Sequence, residues 1–155
     1  MVDSRAKGRA AELKARDVLR KHTKLEWERT PMSGALDAKH KLKGDLYIPD
    51  CKNKFCVEVK HYKDDHLTSK FLTGKTPQIM EWWKQTIREA EQVSREPLLI
   101  FKYNRSKWFA ALEGQNAPES PRHIILYSEI LDQNIYIFLL ETWLKYTTTK
   151  DFLDG

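Results

Sequence analysis

The sequence predicts an α/β domain whose elements follow the order helix, three strands, helix, strand. Two patterns carry this prediction. Apolar side chains recur every three to four residues between Ile79 and Val93, which indicates a helix, whereas residues 98–103 form a continuous apolar run, typical of a strand covered on both faces. At 155 residues, of which 41% are hydrophobic, the chain is long enough for one domain with a substantial core.

The first predicted helix covers residues 4–22 and is amphipathic and strongly basic. Glu12 stands in the middle of its positive charges. There it could form an ion pair with Arg16 one turn further on, or point toward a metal ion. A short strand is predicted next, over residues 25–30, and Pro31 ends it.

Positive charge dominates the chain and favours a polyanionic partner. Lys and Arg total 27 against 22 Asp and Glu, a formal net charge of +5. A soluble basic protein with no nucleic-acid role is the alternative. Since phosphate contacts supply most of the affinity for DNA, we predict that basic residues of the first helix and of the flexible segments contact it. This predicted set is Arg5, Lys7, Arg9, Lys39, Lys41, Lys43, Lys63 and Lys70.

The centre of the sequence, residues 44–60, reads as two short strands joined by a polar turn. Because side chains alternate along a strand, Glu58 and Lys60 share one face, while the apolar residues between them share the other. A hairpin would return Asp45 toward Glu58. Two acids and a lysine could then converge on a divalent cation and a phosphate.

An acid, any residue and a lysine form a weak pattern, which chance alone supplies roughly two or three times in this composition. The sequence has four copies, which begin at Glu12, Asp37, Asp50 and Glu58. Only the last lies in a strand, where residues i and i+2 share a face at about 6 to 7 Å. A cross-strand salt bridge at a sheet edge is the alternative interpretation of this copy.

The residue types suit phosphodiester hydrolysis, which needs a positioned water and neutralised charge on the phosphate. Mg²⁺ prefers oxygen ligands and keeps several waters, so Asp45, Glu58 and the Val59 carbonyl would form a suitable site, with Mn²⁺ as a substitute metal. Lys60 could orient or deprotonate the attacking water, or stabilise the developing charge; the sequence leaves these roles open.

The remaining elements are a core helix and a C-terminal sheet extension. Trp82 and Trp83 lie on the apolar stripe, which favours the core over base stacking. We predict strands over 107–112 and 123–127 and a loop between them. Residues 135–146 fit either a strand or a helix, and we favour a helix that covers the sheet or forms a subunit interface. The whole of 1–155 is then a single domain, with 113–155 as an extension that could lie at a dimer interface.

The cysteine content and the lack of apolar segments predict a soluble, cytoplasmic protein. Cys51 and Cys56 match no zinc motif and are too few for a disulfide framework. No apolar run approaches the roughly 18 residues of a membrane span. The N-terminal residues are charged where a signal peptide would be apolar.

The motif-bearing elements resemble the PD-(D/E)xK nuclease superfamily over about residues 5–112. In chain order they are a helix with Glu12, the pair Gly44-Asp45, the hairpin strand with Glu58-Val59-Lys60, and a helix with Gln85. The basic first helix, the Ser33-Gly34-Ala35 loop and the short hairpin are similar to archaeal-type Holliday junction resolvases and their phage relatives. Gly44 stands where the motif name has proline, and nothing after Gly114 matches this pattern.

The resemblance implies a restriction-endonuclease-like core, with a central mixed sheet flanked by helices, and Mg²⁺-dependent cleavage of DNA that leaves 5′-phosphate ends. It also implies a homodimer that cuts two strands symmetrically. It assigns metal binding to Asp45, Glu58 and Val59, catalysis to Lys60, completion of the site to Glu12, and accessory active-site positions to Ser33 and Gln85.

Three functions compete. The first is a structure-selective DNA endonuclease that resolves Holliday junctions. The second is a duplex or end-processing nuclease of recombination, repair or restriction. The third is a non-catalytic DNA-binding module with a relic site, which the joint presence of Asp45, Glu58 and Lys60 argues against.

Overall fold

The protein is described by a computed structural model over residues 4–31, 43–63, 68–73 and 77–154. Within these ranges, seven strands form one sheet in the order β1-β2-β3-β4-β5-β7-β6. The helices are α1 (Ser4–Thr23), α2 (Gln78–Gln92) and α3 (Leu140–Leu144). The strands are β1 (Glu28–Arg29), β2 (Leu46–Tyr47), β3 (Phe55–Tyr62), β4 (Glu96–Tyr103), β5 (Phe109–Leu112), β6 (Ile124–Ser128) and β7 (Gln133–Leu139).

The sheet is mixed because α2 connects β3 to β4. These two strands run parallel over eight residue pairs, whereas all other neighbours in the described sheet are antiparallel. A parallel pair needs a long crossover, and α2 supplies it. The predicted fold class and the order helix, three strands, helix, strand are confirmed.

The two long helices cover opposite faces of the sheet. Alternation along β4 places Leu98 and Ile100 in one core with α1, and Leu99 and Phe101 in another with α2. Trp82 and Trp83 of α2 are buried in the second core, as the apolar stripe predicted. Strand β4 is therefore covered on both faces, which explains its continuous apolar run.

The helix predicted over 135–146 is wrong for most of its length. Residues up to Leu139 belong to β7, and only α3 is helical. Ile135 and Ile137 pack toward α2, while Phe138 packs into the α1 core. The backbone pairs with β5 on one side and β6 on the other. A strand buried on both faces has apolar residues at helical spacing as well, so periodicity alone misleads.

The last third of the chain enlarges the sheet. Strands β7 and β6 add to β5, and β6 ends the sheet opposite β1. The first predicted strand, 25–30, is paired only over β1. No helix in the described ranges is both long and apolar enough to cross a membrane.

Candidate active site

Gly44 sets the entry into β2. Its φ is +85°, and a Cβ on it would lie 2.7 Å from the Val57 carbonyl oxygen. Only glycine tolerates both the positive φ and this close approach. The proline in the motif name could not take this conformation, because its ring holds φ near −65°. Asp45 then donates its N–H to the Val57 carbonyl at 2.6 Å, which fixes it beside β3.

Immediately before β2, the Asp45 side chain takes the place of a strand beside β3. Backbone pairing between β2 and β3 is centred on Leu46 and Val57. Two residues further along β3, the Val59 N–H donates to Asp45 Oδ2 at 2.8 Å. Since the N–H and C=O of one strand residue point to the same side, the Val59 carbonyl faces the same gap.

Glu58 and Lys60 lie on the α2 side of β3. The register that pairs Leu46 with Val57 places Asp45 opposite Glu58, whose side chain is only 3% exposed. Lys60 is half-buried, and its charge lowers the pKa of Asp45. Cys56 shares this face, but burial raises the pKa of its thiol to about 12, so it is no nucleophile at neutral pH.

Glu12 reaches the site from α1, on the opposite face of the sheet. Its Oε2 accepts a hydrogen bond from Arg29 Nε on β1 at 2.8 Å, and the carboxylate is 17% exposed. The ion pair with Arg16 that the spacing allowed is not formed, because Arg16 bonds Asp17 instead. The tertiary partner on β1 holds Glu12 against the sheet, beside Asp45.

Glu89 of α2 is the site neighbour that the sequence analysis missed. It lies one turn after Gln85, so the two share a helix face. Glu89 Oε2 is buried and has no hydrogen-bond partner in the described part of the chain. Its charge raises the pKa of Asp45, which shows that the two carboxylates are close. The spacing from Gln85 was the available signal.

The family of this chain is shown by comparison with known sequences. Residues 3–154 match the family described as "Phage putative PDDEXK endonuclease". The chain belongs to this endonuclease family. The match spans nearly the whole sequence, including the C-terminal residues that the motif resemblance left unassigned. The protein is accordingly a nuclease of the PD-(D/E)xK type.

Two further similarities accompany the family match. The endonuclease is 41% identical to Protein D14 of Escherichia phage T5 over 159 residues, which is 98% of each chain. It is also similar to the structure of Hjc, a Holliday junction resolvase of Archaeoglobus fulgidus, with 14% identity and a TM-score of 0.43. That alignment covers 88% of this chain and 87% of the resolvase, at a similarity too low to bear on function.

The charges of this candidate site favour a bound cation. Burial raises the pKa of both Asp45 and Glu12, and the nearby Asp45 raises that of Glu12 further. Arg29 opposes the shift of Glu12, and the Val59 N–H and Lys60 oppose that of Asp45. Burial likewise raises the pKa of Glu89. Burial and mutual repulsion disfavour the charged forms of these carboxylates, and a bound cation would neutralise their charge and stabilise them.

The donor set of this nuclease fits a hard divalent cation. Asp45, Glu58 and the Val59 carbonyl supply only oxygen, the ligand type that Mg²⁺ prefers. Across the described ranges, no three His, Cys, Asp or Glu side chains form a preassembled metal cluster. Two carboxylates and a carbonyl fill only part of a coordination shell. They therefore suit an ion that keeps several of its own water ligands, as Mg²⁺ does.

The structure describes some of the other predicted site and DNA-binding residues. Gln85 is half-buried on α2. Lys43 lies close enough to Glu89 for its charge to oppose the rise that burial causes in the pKa of Glu89. Lys7 is half-buried, and Arg9 and Lys63 are exposed. Ser33, Lys39 and Lys41, and the side chains of Arg5 and Lys70, lie outside the described part of the structure.

Proposed function

We propose that this nuclease is a divalent-metal-dependent DNA endonuclease that hydrolyses phosphodiester bonds and prefers branched DNA, with the four-way junction as its substrate. Mg²⁺ is the proposed cofactor, with Mn²⁺ as a substitute. One observation carries the proposal: immediately before β2, the Asp45 carboxylate accepts a hydrogen bond from the Val59 N–H, and Asp45 stands opposite Glu58 in the strand register. This geometry and the burial of Glu58 support a metal site over a surface salt bridge.

The metal-binding residues in this proposal are Asp45, Glu58 and the Val59 carbonyl. The bound ion would lower the pKa of a water and neutralise charge on the attacked phosphate. Lys60 lies near Asp45. There its ammonium would orient the attacking water or stabilise the negative charge that develops, or its neutral amine would deprotonate the water.

Residues from both helices complete the proposed site. Glu12, oriented by Arg29, would bind water around the ion from the α1 side. Gln85 and Glu89 would approach from the α2 side, with the Gln85 amide donating to a phosphate oxygen. Ser33 keeps the accessory position that the sequence resemblance gave it.

A homodimer with two active sites would let the nuclease cut two strands of one junction. The edge strand β6 supports this part of the proposal, because Ile124, Ile125 and Tyr127 are each more than half exposed there. An exposed apolar edge strand is a ready template for pairing with a second copy. A two-fold axis would make the two cuts symmetric.

The decisive experiment compares cleavage of a four-way junction, a fork, linear duplex and single strand, with Mg²⁺ or with EDTA. We expect paired symmetric nicks on the junction and none in EDTA. Equal cutting of linear duplex would instead favour a duplex or end-processing nuclease, and binding without cutting of any DNA would favour a non-catalytic module.

The proposed site is tested by Glu58→Gln, which keeps the shape of the side chain but removes its charge. We expect cleavage to fall by at least about a hundredfold, the scale for losing one group that stabilises transition-state charge. Glu119→Gln is the matched control, because Glu119 is exposed in the loop before β6. Equal rates for wild type and Glu58→Gln would rule the metal site out.

Binding of the ion itself is measured by melting. A ligand that binds only the folded protein raises its melting temperature, so Mg²⁺ should stabilise the wild type. Glu89→Gln tests the residue that the sequence analysis missed: if Glu89 supports the ion, this variant should show a smaller shift. Equal Mg²⁺-induced shifts in both proteins would exclude that role.

A further inference from the structure

Beyond the metal site, a group of positive charges surrounds His61 at the end of β3. Burial lowers the pKa of His61, and so do the charges of Lys7 and Lys14 from α1 and Lys102 from β4. The His61 ring nitrogen Nε2 contacts Asn104 Oδ1 at 3.0 Å. Lysines of α1 and β4 therefore lie close enough to His61 for their charges to act on it.

An aromatic ring lies among these charges. The Lys102 ammonium is 6.0 Å from the centroid of the Trp108 ring, and His61 lies 6.2 Å from it. Trp108 is half-buried and borders a cavity of about 370 Å³, whose lining also includes Lys107 and Lys145. One acid, Glu141, lines that cavity in the described part of the chain.

In the described part of the chain, the ion pairs of Arg16, Arg20 and Arg29 with acids involve none of these lysines. We call the group Lys7, Lys14, His61, Lys102, Lys107 and Trp108 the basic patch. Concentrated positive charge beside an aromatic ring is the combination that binds a nucleic-acid strand: lysines contact its phosphates and the ring stacks on a base.

The basic patch lies next to the proposed active site along β3. His61 directly follows Lys60 but points to the α1 face of the sheet. A DNA strand that leaves the metal site toward α1 would therefore meet the basic patch next.

We propose that the basic patch binds the DNA strand next to the cleavage site, through phosphate contacts to its lysines and stacking of one unpaired base on Trp108. This inference rests on the proposed nuclease function and deepens it. Base stacking is interrupted where a duplex branches, so a base there unpairs more readily than within a continuous duplex, and Trp108 would contribute to the preference for branched DNA. The ligand is the strand itself and not a free nucleotide.

The phosphate contacts are tested with a triple variant, Lys14→Gln, Lys102→Gln and Lys107→Gln. The matched control is Lys21→Gln, Lys24→Gln and Lys52→Gln, which changes the net charge equally at exposed positions. Binding of a fluorescent junction is measured by anisotropy in EDTA over a salt series. For three lost contacts we expect the slope of log affinity against log salt to fall by between about two and three. Equal slopes and affinities for both triple variants would overturn the proposal.

The stacking contact is tested with Trp108→Leu, which keeps apolar packing but removes the ring. We expect affinity for a single-stranded oligonucleotide to fall by about tenfold, while affinity for blunt duplex changes far less. Equal losses on both DNAs would refute stacking. Circular dichroism checks the fold of this variant, and the triple lysine variant tests the patch independently.

Because binding is measured without metal, the two hypotheses fail separately. If the patch variants bind as their controls do while the wild type still cleaves, only the patch is wrong. If the wild type never cleaves but binding depends on the patch, only the nuclease function is wrong.

Discussion

The two edges of the sheet differ in the length of their strands and in the surface that they expose. At one edge β1 and β2 have two residues each, and the β3 backbone beyond them is bound by the Asp45 side chain. At the other edge β6 runs for five residues and exposes isoleucines and a tyrosine. A strand that ends early makes room for carboxylates, whereas a strand that continues offers backbone and apolar surface. We infer chemistry at the first edge and association at the second.

Among the variants, Asp45→Asn at the first edge should cause the largest loss of DNA cleavage. Loss of the carboxylate should reduce cleavage by at least about a hundredfold. In EDTA the variant should melt at the same temperature as the wild type or higher, because burial disfavours the charged form of Asp45. Asp50→Asn, at an exposed residue that begins another copy of the motif, is the control. Full activity of Asp45→Asn would remove Asp45 from the site.

Gly44→Ala should cause the next largest loss. A methyl group would meet the Val57 carbonyl at 2.7 Å with φ at +85°, so we expect a loss of about 2 to 4 kcal/mol in the free energy of unfolding. Urea denaturation measures it. Gly8→Ala is the matched control, because its Cβ would meet nothing within 4 Å and alanine favours the α1 helix. Equal stability of the two variants would contradict the close approach.

The variant Ile125→Lys tests whether two copies associate through β6 at the second edge. Charges on an edge strand oppose pairing with another copy, so the dissociation constant of a dimer should rise by about tenfold. The fold should keep its melting temperature, because Ile125 is 51% exposed. Sedimentation velocity across a concentration series gives the result, with Leu72→Lys as an exposed control. A wild type that sediments as a monomer at every concentration would refute association here.

Glu12 should give the smallest effect, seen in the pH dependence of stability without metal. Its pKa is raised from 4.5 by burial and by Asp45, so the stability that its protonated form contributes is full below about pH 4.5. That contribution is lost as pH rises through the raised pKa. The stability of Glu12→Gln relative to wild type should therefore increase over this window, which urea denaturation at a series of pH values measures. A constant difference between the two proteins would contradict the shift.

The sequence was informative where one physical rule dominated. The helical stripe of α2 needed only periodicity, and Trp82 and Trp83 are buried as predicted. Strand alternation placed Glu58 and Lys60 on one face. The resemblance to PD-(D/E)xK nucleases is confirmed by the family match, while the roles of the individual site residues remain predictions.

Contacts made only in the folded chain determined the features that periodicity did not predict. Strand β7 is apolar on both faces, so its pattern also fitted a helix. Arg29 rather than Arg16 binds Glu12, because a residue 17 positions away in the chain becomes a neighbour only after folding. Glu89 shares a polar helix face with Gln85, and only the fold shows that this face approaches Asp45.

The hydrogen bond from the Val59 N–H to Asp45 Oδ2 makes that amide proton a built-in reporter. In a heteronuclear NMR spectrum, its chemical shift should respond to protonation of Asp45 and to binding of a cation by the carboxylate. A single backbone resonance could thus follow the proposed metal site during a titration, with no dye, label or DNA in the sample.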